Sequence, residues 1–195
     1  MTSAAPVVSD TRRAGRMNVH VYDTREMMGA AAAQDVAEAL RAALKRQASV
    51  RMVFAAAPSQ AQMLAALCAS PDIDWGRVTA FHMDEYIGLA PDAPERFARW
   101  LDDNLFGRVP FAQVHRIRPE PDPAGAAARY SELLAEAPID FVCLGIGVNG
   151  HIAFNDPPVA DFTDPMDVKI VTLDDECRQQ QVDDECFATI GDVPE

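Results

Sequence analysis

The amino-acid sequence predicts an α/β protein with a doubly wound, mainly parallel sheet and helices on both faces. Short runs rich in β-branched and aromatic residues alternate with longer segments whose apolar residues recur at helical spacing. The clearest strand, Ile139–Leu144, has the length and apolar content of a strand buried within a parallel sheet. These observations together set the fold class.

The N-terminal elements follow from polarity and spacing. Residues 1–15 are small and polar without a period, so we expect a flexible lead-in before one domain spanning residues 16–195. Met17–Tyr22 has the composition of a first short strand. An Ala-rich helix is then predicted over residues 24–47, because Asp23 and Thr24 are suitable N-caps and the apolar residues after them recur at helical spacing.

Two further strands follow before the middle of the chain. Val50–Ala57 is apolar enough to be buried, and Pro58 ends it where a new helix begins. Val78–His82 is predicted as the next strand. A helix over Pro94–Phe106 carries an apolar stripe, whose aromatic residues we assign to the core and not to a cofactor site.

The second half repeats the alternation. Val114–Ile117 is a short strand, and Asp122 followed by Pro123 predicts the start of a helix that runs to about Ala137. Val168–Leu173 is a predicted strand after Ile139–Leu144, and Asp174–Val182 is a helical or loop segment. This order is typical of a Rossmann-like single domain.

Charge and cysteine usage exclude some classes of protein. The chain has 17 basic and 30 acidic residues and a net charge of -13, which argues against nucleic acid or an anionic membrane as a partner. The four cysteines lack metal-binding spacing and are expected to be reduced thiols. No apolar run approaches the roughly 20 residues needed to span a bilayer, and the N-terminus lacks a secretory leader, so we expect a cytoplasmic protein.

A glycine-rich loop follows the strand Ile139–Leu144. Gly145, Gly147 and Gly150 allow tight turns that leave backbone amides uncovered. Their spacing matches a dinucleotide-binding fingerprint, but Pro157 and the proline after it would break the helix that such a site requires. NAD binding is therefore not expected.

His151 is the strongest candidate for acid/base chemistry. It lies in the glycine-rich loop, where Asp156 could orient the imidazole and raise its basicity, and Asn149 adds hydrogen-bonding groups. A metal site is less favoured, because no second histidine or cysteine is near in sequence.

Adjacent carboxylates form a second candidate. Asp84 and Glu85 directly follow a strand, at the edge where open α/β sheets bind ligands. Their side chains must diverge, so that one can enter a cleft while the other makes a structural hydrogen bond, and two solvated acids are an equal alternative. Ser59 near a helix N-terminus can bind an anion, or it can only cap that helix.

Two segments resemble the signatures of a known family. Phe81–Leu89, FHMDEYIGL, and Leu144–Pro157, LGIGVNGHIAFNDP, are similar in order and separation to those of the glucosamine-6-phosphate deaminase (isomerase) family. The resemblance implies aldose–ketose isomerisation with release of ammonia, giving fructose 6-phosphate from a small phosphorylated amino sugar. It implies no metal or organic cofactor, and it raises the expectation of a homo-oligomer.

The same resemblance implies roles for particular residues. Asp84 matches the carboxylate that takes the C2 proton and returns it at C1, and His151 matches the histidine that opens the sugar ring. Asp156 matches an acidic residue, usually glutamate, that orients the histidine. Asn149 stands where many members carry an aspartate of the ring-opening group.

The phosphate end departs from the family pattern. The glycine-rich phosphate turn is replaced by Ala55–Gln60, in which Ala57 and Ser59 are the expected contacts, and Glu85, Gly147 and Gly150 complete the predicted substrate-binding set. Arg178 is the candidate for the phosphate arginine, although the matching place can be Asp183. Because the family continues with another strand and a lysine, we expect a C-terminally truncated chain, with a divergent member that does without that segment as the alternative.

Two other functions stay open from the sequence. The 6-phosphogluconolactonase class has a similar fold and a glycine-rich loop with histidine, but it needs hydrolysis in place of carbon-acid chemistry. A sugar-phosphate sensor or inactive paralogue would account for the altered phosphate turn at Ala55–Gln60.

Overall fold

The computed structural model describes residues 7–194, which begin with a two-stranded antiparallel hairpin. Strands β1 (Asp10–Ala14) and β2 (Met17–Val21) pair from end to end, and Gly15 occupies the turn with φ +60°. The first predicted strand is thus confirmed. The predicted lead-in is wrong for Asp10–Ala14, because both faces of β1 are exposed and its polar sequence carries no apolar signal. Residues 1–6 of that lead-in lie outside the described residues.

The main sheet is parallel and four-stranded, with the order β5-β4-β3-β6. Its strands are β3 (Val50–Phe54), β4 (Val78–His82), β5 (Gln113–His115) and β6 (Phe141–Cys143). Phe54 pairs with both His82 and Cys143, so β3, β4 and β6 end at the same edge. The polar loops that follow these strands are therefore brought together.

Helices connect the strands and confirm the predicted α/β class. They are α1 (Arg25–Leu44), α2 (Ala61–Cys68), α3 (Phe97–Leu101), α4 (Pro123–Ala135) and α5 (Asp175–Asp183). Thr24 caps α1 as predicted, accepting a hydrogen bond from the Met27 amide at 3.1 Å, and Asp122 caps α4 in the same way. A π-helical stretch, Asp102–Phe106, continues α3. No helix in the described part of the chain is long and apolar enough to span a bilayer.

The core lies between the sheet and the helices. Side chains that are almost completely inaccessible to solvent fill it: Leu40, Val50, Met52, Phe54, Leu64, Leu67, Val78, Leu101 and Leu105. The aromatic residues of the helix predicted over Pro94–Phe106, Phe97 and Trp100, pack against this core, which confirms their assignment. This packing fixes the strand ends from which the site is built.

A second, smaller cluster lies beside the strand ends. Tyr86, Leu173, Cys177, Phe187 and Val193 form it, with partly buried aromatic residues around them. The strand predicted over Val168–Leu173 is wrong, because no neighbouring strand pairs with this segment among the described residues. Its apolar residues instead place Leu173 in the second cluster, just before α5.

Candidate active site

A cleft opens at the edge where β3, β4 and β6 end. Five segments line it: the turn after β3, the segment after β4, Phe97 at the start of α3, the glycine-rich loop after β6, and α5 with the residues just beyond it. Asp84 and His151, which are far apart in sequence, both line this one cleft. The cleft thus combines two groups that can transfer protons.

Asp84 is a partly buried carboxylate with an unusual titration. Burial and the neighbouring carboxylate of Glu85 raise its pKa from 3.8 to about 7. The backbone just before it is fixed, since the Met83 amide donates to the Phe54 carbonyl at 3.1 Å. A carboxylate with a pKa near neutrality can both accept and return a proton.

Glu85 points away from the cleft and holds the start of α3. Its carboxylate accepts hydrogen bonds from the backbone amides of Tyr86, Phe97 and Ala98 at 2.9 to 3.1 Å. Burial raises the pKa of Glu85, while these amide hydrogen bonds oppose the rise. The two adjacent carboxylates therefore diverge, and the substrate-binding role predicted for Glu85 stays a prediction that this placement does not favour.

The glycine-rich loop forms a seat for the His151 ring. The Gly147 amide donates to the His151 carbonyl at 2.9 Å, and the Gly150 amide donates to the Gly147 carbonyl at 3.0 Å. A Cβ atom on Gly147 would lie 2.2 Å from the imidazole, and Gly150 has a φ of +89°, which favours glycine. The conformation of the loop therefore requires glycine at both positions, independently of any ligand.

Asp156 is the fully buried partner of His151. One of its carboxylate oxygens, Oδ1, lies 3.0 Å from His151 Nδ1, although the ring orientation gives that nitrogen no hydrogen bond. The same oxygen accepts from the Asn149 side-chain amide at 2.9 Å, and the other accepts from the Asp174 backbone amide at 3.0 Å. The shorter aspartate thus reaches the imidazole.

Asn149 links the loop to α5. Its Nδ2 donates to Asp156 and also to Asp174 Oδ2 at 3.1 Å, while its Oδ1 accepts from the His151 backbone amide at 3.0 Å. Asp174 in turn caps α5 by accepting from the Cys177 amide at 2.7 Å. Asp174 was missed as a site residue, since its sequence position marked only the start of a helix.

Cys177 also reaches the site, although it is distant in sequence. Its sulfur and the ligand atoms of His151 and Asp156 all lie within 4.8 Å of one another. Burial and the Asp156 carboxylate raise the pKa of Cys177 to about 12. Sequence spacing could not have revealed this neighbour, because α5 brings it in from a separate segment.

The part of the cleft that is predicted to bind phosphate carries little positive charge. Ala57 and Ser59, the predicted contacts, line the cleft, and the Ser59 hydroxyl lies 3.6 Å from where a Gly145 Cβ would be. Among the described residues, neither lysine nor arginine lines the cleft. Arg178 instead donates to the carbonyls of Ile190 and Val193, which ties α5 to the following turn.

Two glutamines of α5 complete the cleft and were not foreseen from the sequence. Gln180 accepts from the Val148 backbone amide at 3.1 Å, and Gln181 accepts from the Tyr86 hydroxyl at 2.8 Å. Only the polarity of the run from 179 to 181 beside an expected phosphate arginine could have suggested them.

A parallel α/β sheet with acid/base groups at its strand ends is typical of proteins that bind small molecules in the crevice beyond the strands. The family model described as glucosamine-6-phosphate isomerases/6-phosphogluconolactonase matches residues 23–170, and the chain belongs to this family. The resemblance seen in the two sequence segments is therefore confirmed.

Two curated relatives of this chain are both named glucosamine-6-phosphate deaminase. A glucosamine-6-phosphate deaminase of Exiguobacterium is 47% identical over 89 residues, which cover 45% of this chain and 35% of the relative. Another from Streptococcus pneumoniae serotype 4 is 36% identical over 126 residues, covering 63% of this chain and 51% of the relative. The chain thus spans about half, or less, of the length of these relatives.

Solved structures show the same fold. A monomeric glucosamine-6-phosphate deaminase superposes with a TM-score of 0.76 at 24% identity, over 88% of this chain and 70% of that protein. A 6-phosphogluconolactonase from Plasmodium vivax gives a TM-score of 0.67 at 15% identity, over 76% and 55%. At these identities the likeness establishes the architecture.

Proposed function

We propose that this chain carries out the reaction of a glucosamine-6-phosphate deaminase. In this reaction an amino-sugar phosphate isomerises from the aldose to an imine at C2, and water hydrolyses that imine to fructose 6-phosphate and ammonia. Support comes from the family of the chain and from the names of its curated relatives. The single observation that carries the proposal is that Asp84 and His151 line one cleft.

The chemistry requires two separate proton-transfer groups. The proton at C2 is acidic only when the neighbouring carbonyl is free, so the sugar ring must open first. In the proposal His151 transfers the proton on the ring oxygen, and Asp84 removes the C2 proton and returns it at C1. The pKa of about 7 at Asp84 suits a group that must act as both base and acid.

The partners of His151 are proposed to act as positioning residues. Asp156 holds its carboxylate beside Nδ1 and is itself held by Asn149 and the Asp174 amide. A carboxylate beside Nδ1 orients the ring and favours the tautomer that carries its proton on that nitrogen. Asn149 supplies an amide where charge is often present in the family, so orientation is its proposed contribution.

Phosphate binding is proposed to rest on neutral donors. Ala57 and Ser59 line the cleft, and the backbone amide of Ala57 and the hydroxyl of Ser59 are the proposed donors, whereas Arg178 is engaged with carbonyls elsewhere. Neutral donors bind a dianion more weakly than a guanidinium does. We therefore expect a high KM for the sugar phosphate, and only modest discrimination against unphosphorylated glucosamine.

The experiment is a coupled assay on the purified chain. Glucosamine 6-phosphate is supplied, and ammonia and fructose 6-phosphate are measured in parallel; the proposal requires both products in equal amounts. Hydrolysis of 6-phosphogluconolactone without either product would favour a lactonase instead. Calorimetric binding of the sugar phosphate with no turnover of either substrate would favour a non-catalytic sensor.

The cellular setting is part of the same proposal. The four cysteines are free thiols, which supports a cytoplasmic location, and fractionation of cells that express the chain tests it. The resemblance predicts a homo-oligomer, whereas one solved neighbour is described as monomeric. Sedimentation of the purified chain decides between these states.

A further inference from the structure

Three metal-ligating side chains converge behind the cleft. His151 comes from the glycine-rich loop, Asp156 from the segment after it, and Cys177 from α5, and their ligand atoms lie within 4.8 Å of one another. Asp156 and Cys177 are fully buried. The His151 side chain is 10% exposed, and its Nδ1 is buried without a hydrogen-bond partner.

We propose that His151, Asp156 and Cys177 form a binding site for a thiophilic divalent cation such as Zn²⁺. Imidazole, carboxylate and thiolate are the ligands that Zn²⁺ takes in proteins, at about 2.0 to 2.3 Å. A tetrahedral ion at such distances spaces its ligand atoms about 3 to 4 Å apart. The cluster needs only small side-chain movements to reach that spacing, and a fourth position can take water.

The charges around Cys177 favour the binding of a cation. Asp156 lies inside the cluster, and the Asp174 side chain adjoins it through the shared Asn149 amide. No lysine or arginine lines the adjacent cleft in the part of the chain that the structure describes. When the cation binds, the sulfur–hydrogen bond of Cys177 breaks, a metal–sulfur bond forms, and the proton passes to the buffer.

Occupancy would oppose catalysis. A cation on Nδ1 immobilises the His151 ring and takes the carboxylate that orients it, so the ring cannot carry a proton between ring oxygen and solvent. The site would therefore be inhibitory. This consequence rests on the proposed function, whereas the binding site itself does not.

The experiment uses Cd²⁺ as a spectroscopic probe on chelator-treated protein. A cadmium–thiolate bond produces an ultraviolet charge-transfer band, and titration of the whole chain should show one such site and a rise in Tm. Cys177→Ser should abolish the band, and His151→Gln should weaken binding by at least about tenfold. Cys186→Ser is the matched control, since this half-buried thiol also lines the cleft, and it should bind as the parent does.

The outcomes separate the two proposals. A folded parent chain without the band would overturn the metal site, and so would unchanged Cd²⁺ affinity in either Cys177→Ser or His151→Gln. His151→Gln keeps this test decisive if the buried serine prevents folding. Turnover that persists with the site filled would refute inhibition. A filled site in a chain that never turns over glucosamine 6-phosphate would refute only the proposed function.

Discussion

The sheet region, residues 25–143, and the loop region, residues 144–194, are stabilised in different ways. In the sheet region strands and helices bury a contiguous apolar core. In the loop region the regular elements among the described residues are α5 and a 3-10 turn at Ile190–Asp192, and the small second cluster is its packed part. Many large apolar side chains of this region stay exposed: Leu144, Ile146, Val148, Ile152, Phe162, Met166, Ile170 and Ile190. Polar cross-links such as Asn149 to Asp156 hold this region instead.

The two regions supply different parts of the candidate site. The sheet region contributes one proton-transfer group, Asp84, at the end of a buried strand, where burial itself shifts its titration. The loop region contributes His151, whose position depends on glycine turns and hydrogen bonds. Substitutions in the two regions should therefore impair the protein in different ways.

Asp84→Asn tests the sheet region's share of the chemistry. The amide keeps the shape of the side chain but cannot accept the C2 proton, so we expect kcat to fall about 10³-fold with folding intact. Steady-state ammonia release measures this. Asp184→Asn is the matched control, because Asp184 also lines the cleft, and it should change kcat by no more than about twofold. Equal losses in both variants would contradict the assignment.

Leucine truncations compare the stability of the two regions. Leu67→Ala removes a side chain with 0% exposure from the main core, so the free energy of unfolding should fall by about 3 kcal/mol. Leu173→Ala in the second cluster should cost roughly 1–2 kcal/mol, because its surroundings can relax. Urea unfolding followed by circular dichroism provides both values. A larger loss for Leu173→Ala would reverse the comparison.

Gly147→Ala tests the seat of the histidine. The added methyl group would lie 2.2 Å from the imidazole, so the ring must move and kcat should fall about 10²-fold. The effect on stability should be small, because the loop has little packed core. Gly76→Ala is the control, since its new Cβ would be 3.4 Å from the Asp74 carboxylate and far less crowded. Normal activity in Gly147→Ala would show that the ring position is not critical.

The raised pKa of Asp84 also predicts a pH-dependent effect on stability. A pKa of about 7 against the ordinary 3.8 means that the folded chain binds this proton more tightly than the unfolded chain. The free energy of unfolding therefore falls as pH rises between these values. Asp84→Asn cannot ionise, so it should melt several degrees, up to about 10 °C, above the parent at pH 8 and match it below about pH 4. A lower Tm for the variant at pH 8 would contradict this sign.

Sequence patterns predicted the sheet region well because each element there carries its own signal. The apolar run at β3 and the Asp122–Pro123 helix start depend on local residue preferences that the core reinforces. The strand predicted over Val168–Leu173 is wrong because apolar content alone cannot supply a partner strand. The strand Asp10–Ala14 was not predicted for the opposite reason, since it pairs with β2 but has no large apolar residues that would indicate a strand.

The sequence predicted only those site residues that lie within recognisable motifs. Asp84 and His151 were found from their segments, and the structure brings both to one cleft. Cys177 and Asp174 were missed, because their closeness to His151 and Asp156 arises from the path of the chain into α5. Arg178 was expected at the phosphate, but its contacts with two carbonyls depend on a turn that no local signal predicts.

Removal of the C2 proton of the substrate tests the central claim most directly. Glucosamine 6-phosphate is incubated with the chain in D₂O, and loss of the C2 proton signal is followed by nuclear magnetic resonance, whether the proton passes to solvent or to C1 of the product. If Asp84 and His151 act together across one cleft, the parent should remove this proton, and both Asp84→Asn and His151→Gln should slow its loss by about 10²-fold or more. Loss of the C2 proton at the parent rate in Asp84→Asn would contradict the account.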